Sequence, residues 1–139
     1  MGKLARLSIS LDSDLLRQFD DLIAKRNYAN RSEAFRDLIR SELVEADWQA
    51  GTRKTAAVVT LVMDLHAQDL AQKLNEMQHQ HVGQVVSSLH VHVDEHNCLE
   101  VLVLRGRASD IRTLGERLIS VRGVKHGKLT LATTGERLT

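Results

Sequence analysis

The six residues Arg6-Leu7-Ser8-Ile9-Ser10-Leu11 alternate strictly between polar and apolar, the pattern of a strand buried on one face only. No second strand signal follows before Ala56. Instead, Asp12 or Ser13 caps a helix whose apolar stripe is Leu15, Leu16, Phe19, Leu22 and Ile23. Asn27-Tyr28-Ala29 breaks that helix. Asn30-Arg31-Ser32-Glu33 resembles a capping box, with Asn where Ser or Thr is usual, and opens a second helix with Ala34, Phe35, Leu38, Ile39 and Leu43 inward. One strand cannot form a sheet, and a core built from roughly 50 residues is marginal. The strand therefore has to pair with a copy from another chain, which makes the protein an obligate dimer.

The aromatics mark a boundary. All four (Phe19, Tyr28, Phe35, Trp48) fall in the first 48 residues, and beyond Trp48 the apolar residues are aliphatic. The polar run Gln49-Ala50-Gly51-Thr52-Arg53-Lys54-Thr55 follows, so the sequence divides into a domain over 1–48, a linker over 49–55 and a second domain over 56–139. Net charge is +1, and the first 48 residues hold 8 basic against 9 acidic side chains. Bulk charge gives no support to a nucleic-acid partner; such a case has to rest on where the charges sit. There is no apolar run of membrane-spanning length and no leader pattern at Met1-Gly2-Lys3-Leu4, which predicts a cytoplasmic protein with no membrane partner. A single cysteine fits that reducing compartment.

In the second half the pattern reads strand Ala56–Met63, helix His66–Gln80, strands Val85–Val93 and Cys98–Leu104, a helix Asp110–Val121 capped by Ser109 and stopped by Gly123, and a strand His126–Ala132. That order is βαββαβ, a ferredoxin-like α+β unit of the kind found in ACT regulatory domains. The absence of aromatics here argues against stacking of RNA bases.

Its chemistry lies between residues 79 and 98. In Leu89-His90-Val91-His92-Val93 both imidazoles fall on one face of a strand and the aliphatics on the other, which predicts a buried aliphatic face. Imidazole and thiolate bind borderline transition metals, so His79, His90, His92 and Cys98 are candidate ligands. The polar cluster Asp94-Glu95-His96-Asn97 turns the chain. A four-residue loop pairs Val93 with Cys98 and puts the thiol on the aliphatic face. A five-residue loop from Val93 to Asn97 sets Cys98 opposite His92 and Glu100 opposite His90; a metal site requires that second register, with Glu100 beside the ligands to orient an imidazole. Leu70, Leu74 and Met77 form the inward stripe of the preceding helix, and His79 falls about 180° from it, so either the last turn unwinds or His79 is offered to another subunit. His81 faces the stripe and reads as structural. His66, His96 and His126 read as non-ligands.

The β-α-α order, with NRSEAFRDLIR following LDSDLL, resembles the ribbon-helix-helix family of DNA-binding proteins. The resemblance implies that a two-stranded ribbon enters the major groove and that Arg6, Ser8 and Ser10 read base edges. It implies, too, that Asn30, Arg31 and Ser32 hold a phosphate at the start of the second helix. Taken over Arg6 to about Leu131, with the QHxH, LHVHxDEHNCLE and RGVKHGKL segments, the chain is similar to the nickel-responsive transcriptional regulators. This implies a planar site of three imidazoles and one thiolate: His90, His92 and Cys98 from one subunit and His79 from a neighbour. It implies one Ni(II) per subunit, a homotetramer made as a dimer of dimers, and operator DNA as partner. Relatives also place a cation between the domains, and Glu33 and Asp37 match those carboxylates.

One departure is plain. Where relatives commonly read Tyr-Asp-His-His, this chain has Met63-Asp64-Leu65-His66, which removes supporting contacts and puts auxiliary metal sites in question. The expected function is a nickel-sensing regulator that represses uptake genes when loaded. The rival is a ribbon-helix-helix antitoxin, or a regulator sensing a small ligand, in which the histidine–cysteine cluster has no role. A metallohydrolase needs an open coordination position and a base. Four protein ligands leave no such position, so the protein is expected not to be an enzyme.

Overall fold

Asp12 and Asn30 each start a helix with a side-chain cap. The Asp12 carboxylate accepts the N–H groups of Asp14 (2.8 Å) and Leu15 (3.4 Å), opening α1 (Ser13–Lys25). Asn30 Oδ1 accepts the Glu33 N–H at 2.9 Å, opening α2 (Arg31–Ala50). Between them Asn27 turns the chain with φ of 61°. The Phe19 and Phe35 rings meet at 5.0 Å, and Ile23 and Ala34 are buried. The remaining apolar residues have no such cover: Leu7 is 79% exposed, and Ile9, Leu11, Leu15, Leu22, Leu38, Ile39 and Leu43 are exposed as well. The structure, a computed structural model, describes residues 2–64 and 66–139. Among them the expected strand Arg6–Leu11 takes part in no ladder, because a single chain offers no neighbouring strand.

The second half is β1 (Lys54–Asp64), α3 (Gln68–Gln80), β2 (Val85–His92), β3 (Asn97–Arg107), α4 (Ala108–Ile119) and β4 (Val124–Leu131), the expected βαββαβ order. The sheet runs β2-β3-β1-β4, antiparallel throughout. Alternate residues of β1 (Ala57, Val59, Leu61, Met63) are buried with Leu102 and Leu104 of β3, under Leu70 and Leu74 of α3 and Ile111, Leu114 and Leu118 of α4. The opposite face of the sheet behaves differently. Leu89 is 60% exposed, and Val91, Val93 and Val103 are exposed too, so the aliphatic face expected to be buried is open in the single chain.

Three boundaries moved. The third helix begins at Gln68, which leaves His66 outside it; Leu65 lies outside the described residues. The fourth begins at Ala108 with Arg107 as cap and no side-chain cap bond, so Ser109 sits in the first turn and its N–H donates to Gly51 O at 3.0 Å. The third change concerns the domains. The second helix continues through Trp48 to Ala50, where Gly51 ends it with φ of 75°. Trp48 is 2% exposed in the core of the second unit; its Nε1 donates to Ala132 O at 2.9 Å, and the Arg112 guanidinium lies 5.7 Å from its ring centre. The compact units accordingly divide between Leu43 and Val44, with Arg137–Thr139 grouped with the first, and the residues expected to form a linker are hydrogen-bonded into the second. An aromatic at a sequence boundary does not reveal which core it fills.

Candidate metal centre

The hairpin joining β2 and β3 is tied by one carboxylate. Asp94 Oδ1 accepts the N–H groups of His96 (2.8 Å) and Asn97 (2.7 Å), and the Asn97 amide donates to both Asp94 oxygens. Val93 N–H donates to Asn97 O at 2.9 Å, closing a loop over Val93–Asn97. This is the longer of the two registers read from the sequence. His92 pairs with Cys98 and His90 with Glu100, and paired residues project to the same face. The His90 and His92 rings stand edge to face at 5.4 Å.

The donors on that face are held by nearby partners. His90 Nδ1 lies 3.6 Å from Glu100 Oε2, while Glu100 Oε1 accepts from Gln78 Nε2 of α3 at 3.0 Å. The Cys98 thiol, 2% exposed, donates to Met63 O at 3.6 Å. Burial pushes its pKa up, and the charges of Glu100 and Asp64 add to the effect, so the thiol keeps its proton in the absence of a cation. A bound divalent ion reverses that balance, since a coordinating thiol is deprotonated outright. His79 stands exposed on the last turn of α3, away from the buried stripe of Leu70 and Leu74. His81 Nδ1 lies 2.8 Å from Met77 O, a contact within its own helix end.

Among the described residues, no three His, Cys, Asp or Glu side chains are gathered closely enough to hold an ion within one chain. His90, His92 and Cys98 share a face, but His90 is turned to Glu100, Cys98 to Met63 O and the His92 ring stands against that of His90, while His79 is exposed on α3. The donor types nevertheless fit a borderline metal: two imidazoles on a strand and a buried free thiol opposite, with Glu100 already against an imidazole. His96, in the hairpin turn, and His66 approach each other edge-on at 6.3 Å.

In the first unit Arg6, Ser8 and Ser10 are exposed on the segment that precedes α1. Asn30 is engaged as a cap, and Arg31 forms a two-pronged pair with Asp20, both contacts 2.8 Å. Glu33 pairs with Arg36 at 2.9 Å. Asp37 accepts from Tyr28 Oη at 2.8 Å and pairs with Arg40 at 3.3 Å, so both carboxylates matched to a cation already hold arginines. Sequence reasoning missed Asp20 and Gln78. Nothing in the spacing marks a glutamine on a helix as the partner of a strand glutamate; the Asp20–Arg31 pair spans the helix break and becomes visible only when α1 folds back against α2.

Two capped helices after a short alternating segment, followed by a ferredoxin-like unit with imidazole and thiol donors on one sheet face, are the arrangement of a two-domain regulator. Residues 5–46 match the model of ribbon-helix-helix proteins of the copG family, and residues 56–132 match the NikR C terminal nickel binding domain. The chain belongs to the NikR-type family of nickel-responsive regulators, a family of transcriptional regulators and not of enzymes. It is 58% identical over 139 residues, all of both chains, to a protein of Nitratidesulfovibrio vulgaris (strain Miyazaki F) named "Putative nickel-responsive regulator". Proteins with the same name from Geobacter sp. (strain M21) and Geobacter sulfurreducens are 56% and 54% identical over 138 residues, 99% of each chain. A solved structure of an uncharacterized protein from Thermotoga maritima overlays with a TM-score of 0.50 at 22% identity, covering 56% of this chain and 96% of that one; it bears on the fold alone. Among the described residues no helix is long and apolar enough to cross a membrane.

Proposed function

We propose that this chain is a nickel-dependent DNA-binding regulator that represses nickel-uptake genes in the cytoplasm when Ni(II) is bound. His90, His92 and Cys98 of one subunit and His79 of another hold one ion per subunit, in a homotetramer assembled as a dimer of dimers. The observation that carries this reading is the hairpin register, which sets Cys98 opposite His92 on the face that also bears His90 and Glu100. The exposure of His79, apart from its own chain's donors, supports its service to a neighbour. The uncovered apolar residues Leu7, Ile9 and Leu11 support a ribbon shared by two chains, leaving Arg6, Ser8 and Ser10 for base edges and Arg31 and Ser32 for phosphate.

A bound nickel ion would supply a preference for N and S donors. His79 would tie one subunit to the next, the Cys98 thiol would bind as the thiolate, and Glu100 would keep His90 oriented. Those contacts favour the arrangement of ribbons that meets both halves of an operator, a population shift with no chemistry performed.

The test is DNA binding with and without Ni(II), Cu(II) and Zn(II), using a duplex selected from a random pool by the nickel-loaded protein. Nickel is expected to tighten binding at least tenfold, and Cys98→Ala to abolish both that gain and the thiolate-to-metal absorption. An unchanged visible spectrum in Cys98→Ala removes the site assignment, and equal DNA binding with and without metal removes the regulator reading.

A further inference from the structure

We infer that Asp20 competes with DNA phosphate for Arg31 and so holds down the sequence-independent part of DNA binding. This rests on the reading of Arg31 as a phosphate contact. Arg31 occupies the first position of α2, beside N–H groups that a helix start leaves without acceptors inside the helix. Its Nε and Nη2 both go to Asp20, one to each carboxylate oxygen, at 2.8 Å. That is the geometry with which a guanidinium meets a phosphate, so the carboxylate stands in the phosphate's place.

The pair is poorly explained as a structural clamp. Its side chains are 55% and 39% exposed, and an exposed ion pair is a weak tie. The two helices are already joined by the Phe19–Phe35 contact and by buried Ile23 and Ala34. Exposure has a second consequence: an incoming phosphate can reach the guanidinium and displace the carboxylate. Asn30 cannot substitute for Arg31, because its side chain caps Glu33. Phosphate contacts act on any sequence, so the displacement weakens operator and random DNA by the same factor and leaves discrimination to Arg6, Ser8 and Ser10.

The experiment is a double-mutant cycle in the full-length nickel-loaded protein, with Asp20→Asn, Arg31→Ala and the double variant measured on the operator and on a scrambled duplex. Asp20→Asn is expected to tighten both roughly two- to five-fold, the range of an exposed pair, and the gain is expected to vanish when Arg31 is absent. Arg31→Ala alone should weaken both duplexes and flatten the salt dependence. An equal gain from Asp20→Asn with and without Arg31 would overturn the inference, since the carboxylate would then act by bulk repulsion. A loss of affinity in Asp20→Asn also overturns it, by making Asp20 a support that aims Arg31. If Arg31→Ala leaves affinity and salt slope unchanged, the phosphate reading of Arg31 has failed and the competition falls with it. Asp20→Ala, measured alongside, separates loss of the carboxylate from any new contact made by the amide.

Discussion

The two units of this chain solve the burial problem in opposite ways. The second covers one face of a four-stranded sheet with two helices and closes a core that runs from Trp48 to Leu118 inside a single chain. The first has two helices with side-chain N-caps yet leaves Leu7, Ile9, Leu15, Leu22, Leu38 and Ile39 exposed in the single chain. Local signals are strong in both units. What differs is whether the chain covers its own apolar surface, and on the proposed shared ribbon the first unit's stability would depend on concentration.

That contrast is sharpest in a pair of truncations. Leu61→Ala, at a fully buried position of β1, is expected to cost about 2–5 kcal/mol at every protein concentration. Ile9→Ser changes a half-exposed side chain of the segment that precedes α1, so its effect should be slight in dilute protein and grow as chains associate. Chemical denaturation at several protein concentrations measures both. A concentration-independent loss for Ile9→Ser would break the comparison, since the first unit would then be complete in one chain.

The second prediction separates reading DNA from sensing metal. Arg6→Ala should weaken operator binding by about 1–3 kcal/mol, the value of a good two-pronged base contact, and leave nickel affinity nearly untouched. Titration of both ligands into one preparation checks it. Equal losses on operator and scrambled duplexes would reduce Arg6 to a phosphate contact.

What the sequence made legible follows the same division. Alternation and caps placed every helix and strand of the second unit to within a few residues, and the requirement that a thiol face an imidazole selected the hairpin register that Asp94 enforces. The burial of Leu89 and Val91 was misread, because periodicity gives the face of a strand but not whether anything covers it. The boundary placed after Trp48 lies at Leu43/Val44 in the structure for a related reason: the helix that bears Trp48 crosses from one unit into the next without a break in pattern. The pairing of Arg31 with Asp20, of Glu33 with Arg36 and of Asp37 with Arg40 is not legible in the sequence. Ion pairing between side chains depends on rotamers and on helix packing, which spacing alone does not encode.

The smallest effect distinguishes two carboxylates, one in each unit. Asp20 is held below the usual carboxylate range first by its hydrogen bonds to Arg31, with the guanidinium charge adding to them. Asp94 is held down by hydrogen bonds from the Asn97 side chain and from the His96 and Asn97 backbone, all within its own turn. A carboxylate whose folded pKa is lowered stabilises the fold above the ordinary carboxylate range, and that contribution is lost as pH falls through the lowered value. Both groups therefore act only on the acid limb, and both are exposed, so neither dominates it. Salt should tell them apart. At about 1 M ionic strength the screening length is roughly 3 Å, which weakens a tie between exposed charges far more than hydrogen bonds from neutral amides. Carboxylate titrations followed by NMR should show the Asp20 pKa moving up toward its ordinary value in high salt while that of Asp94 stays low. Equal movement of both would mean that the Asp20–Arg31 pair is no more sensitive to screening than the hydrogen bonds inside the Asp94 turn, and the contrast between a carboxylate held by a charged partner on another helix and one held within its own turn would no longer hold.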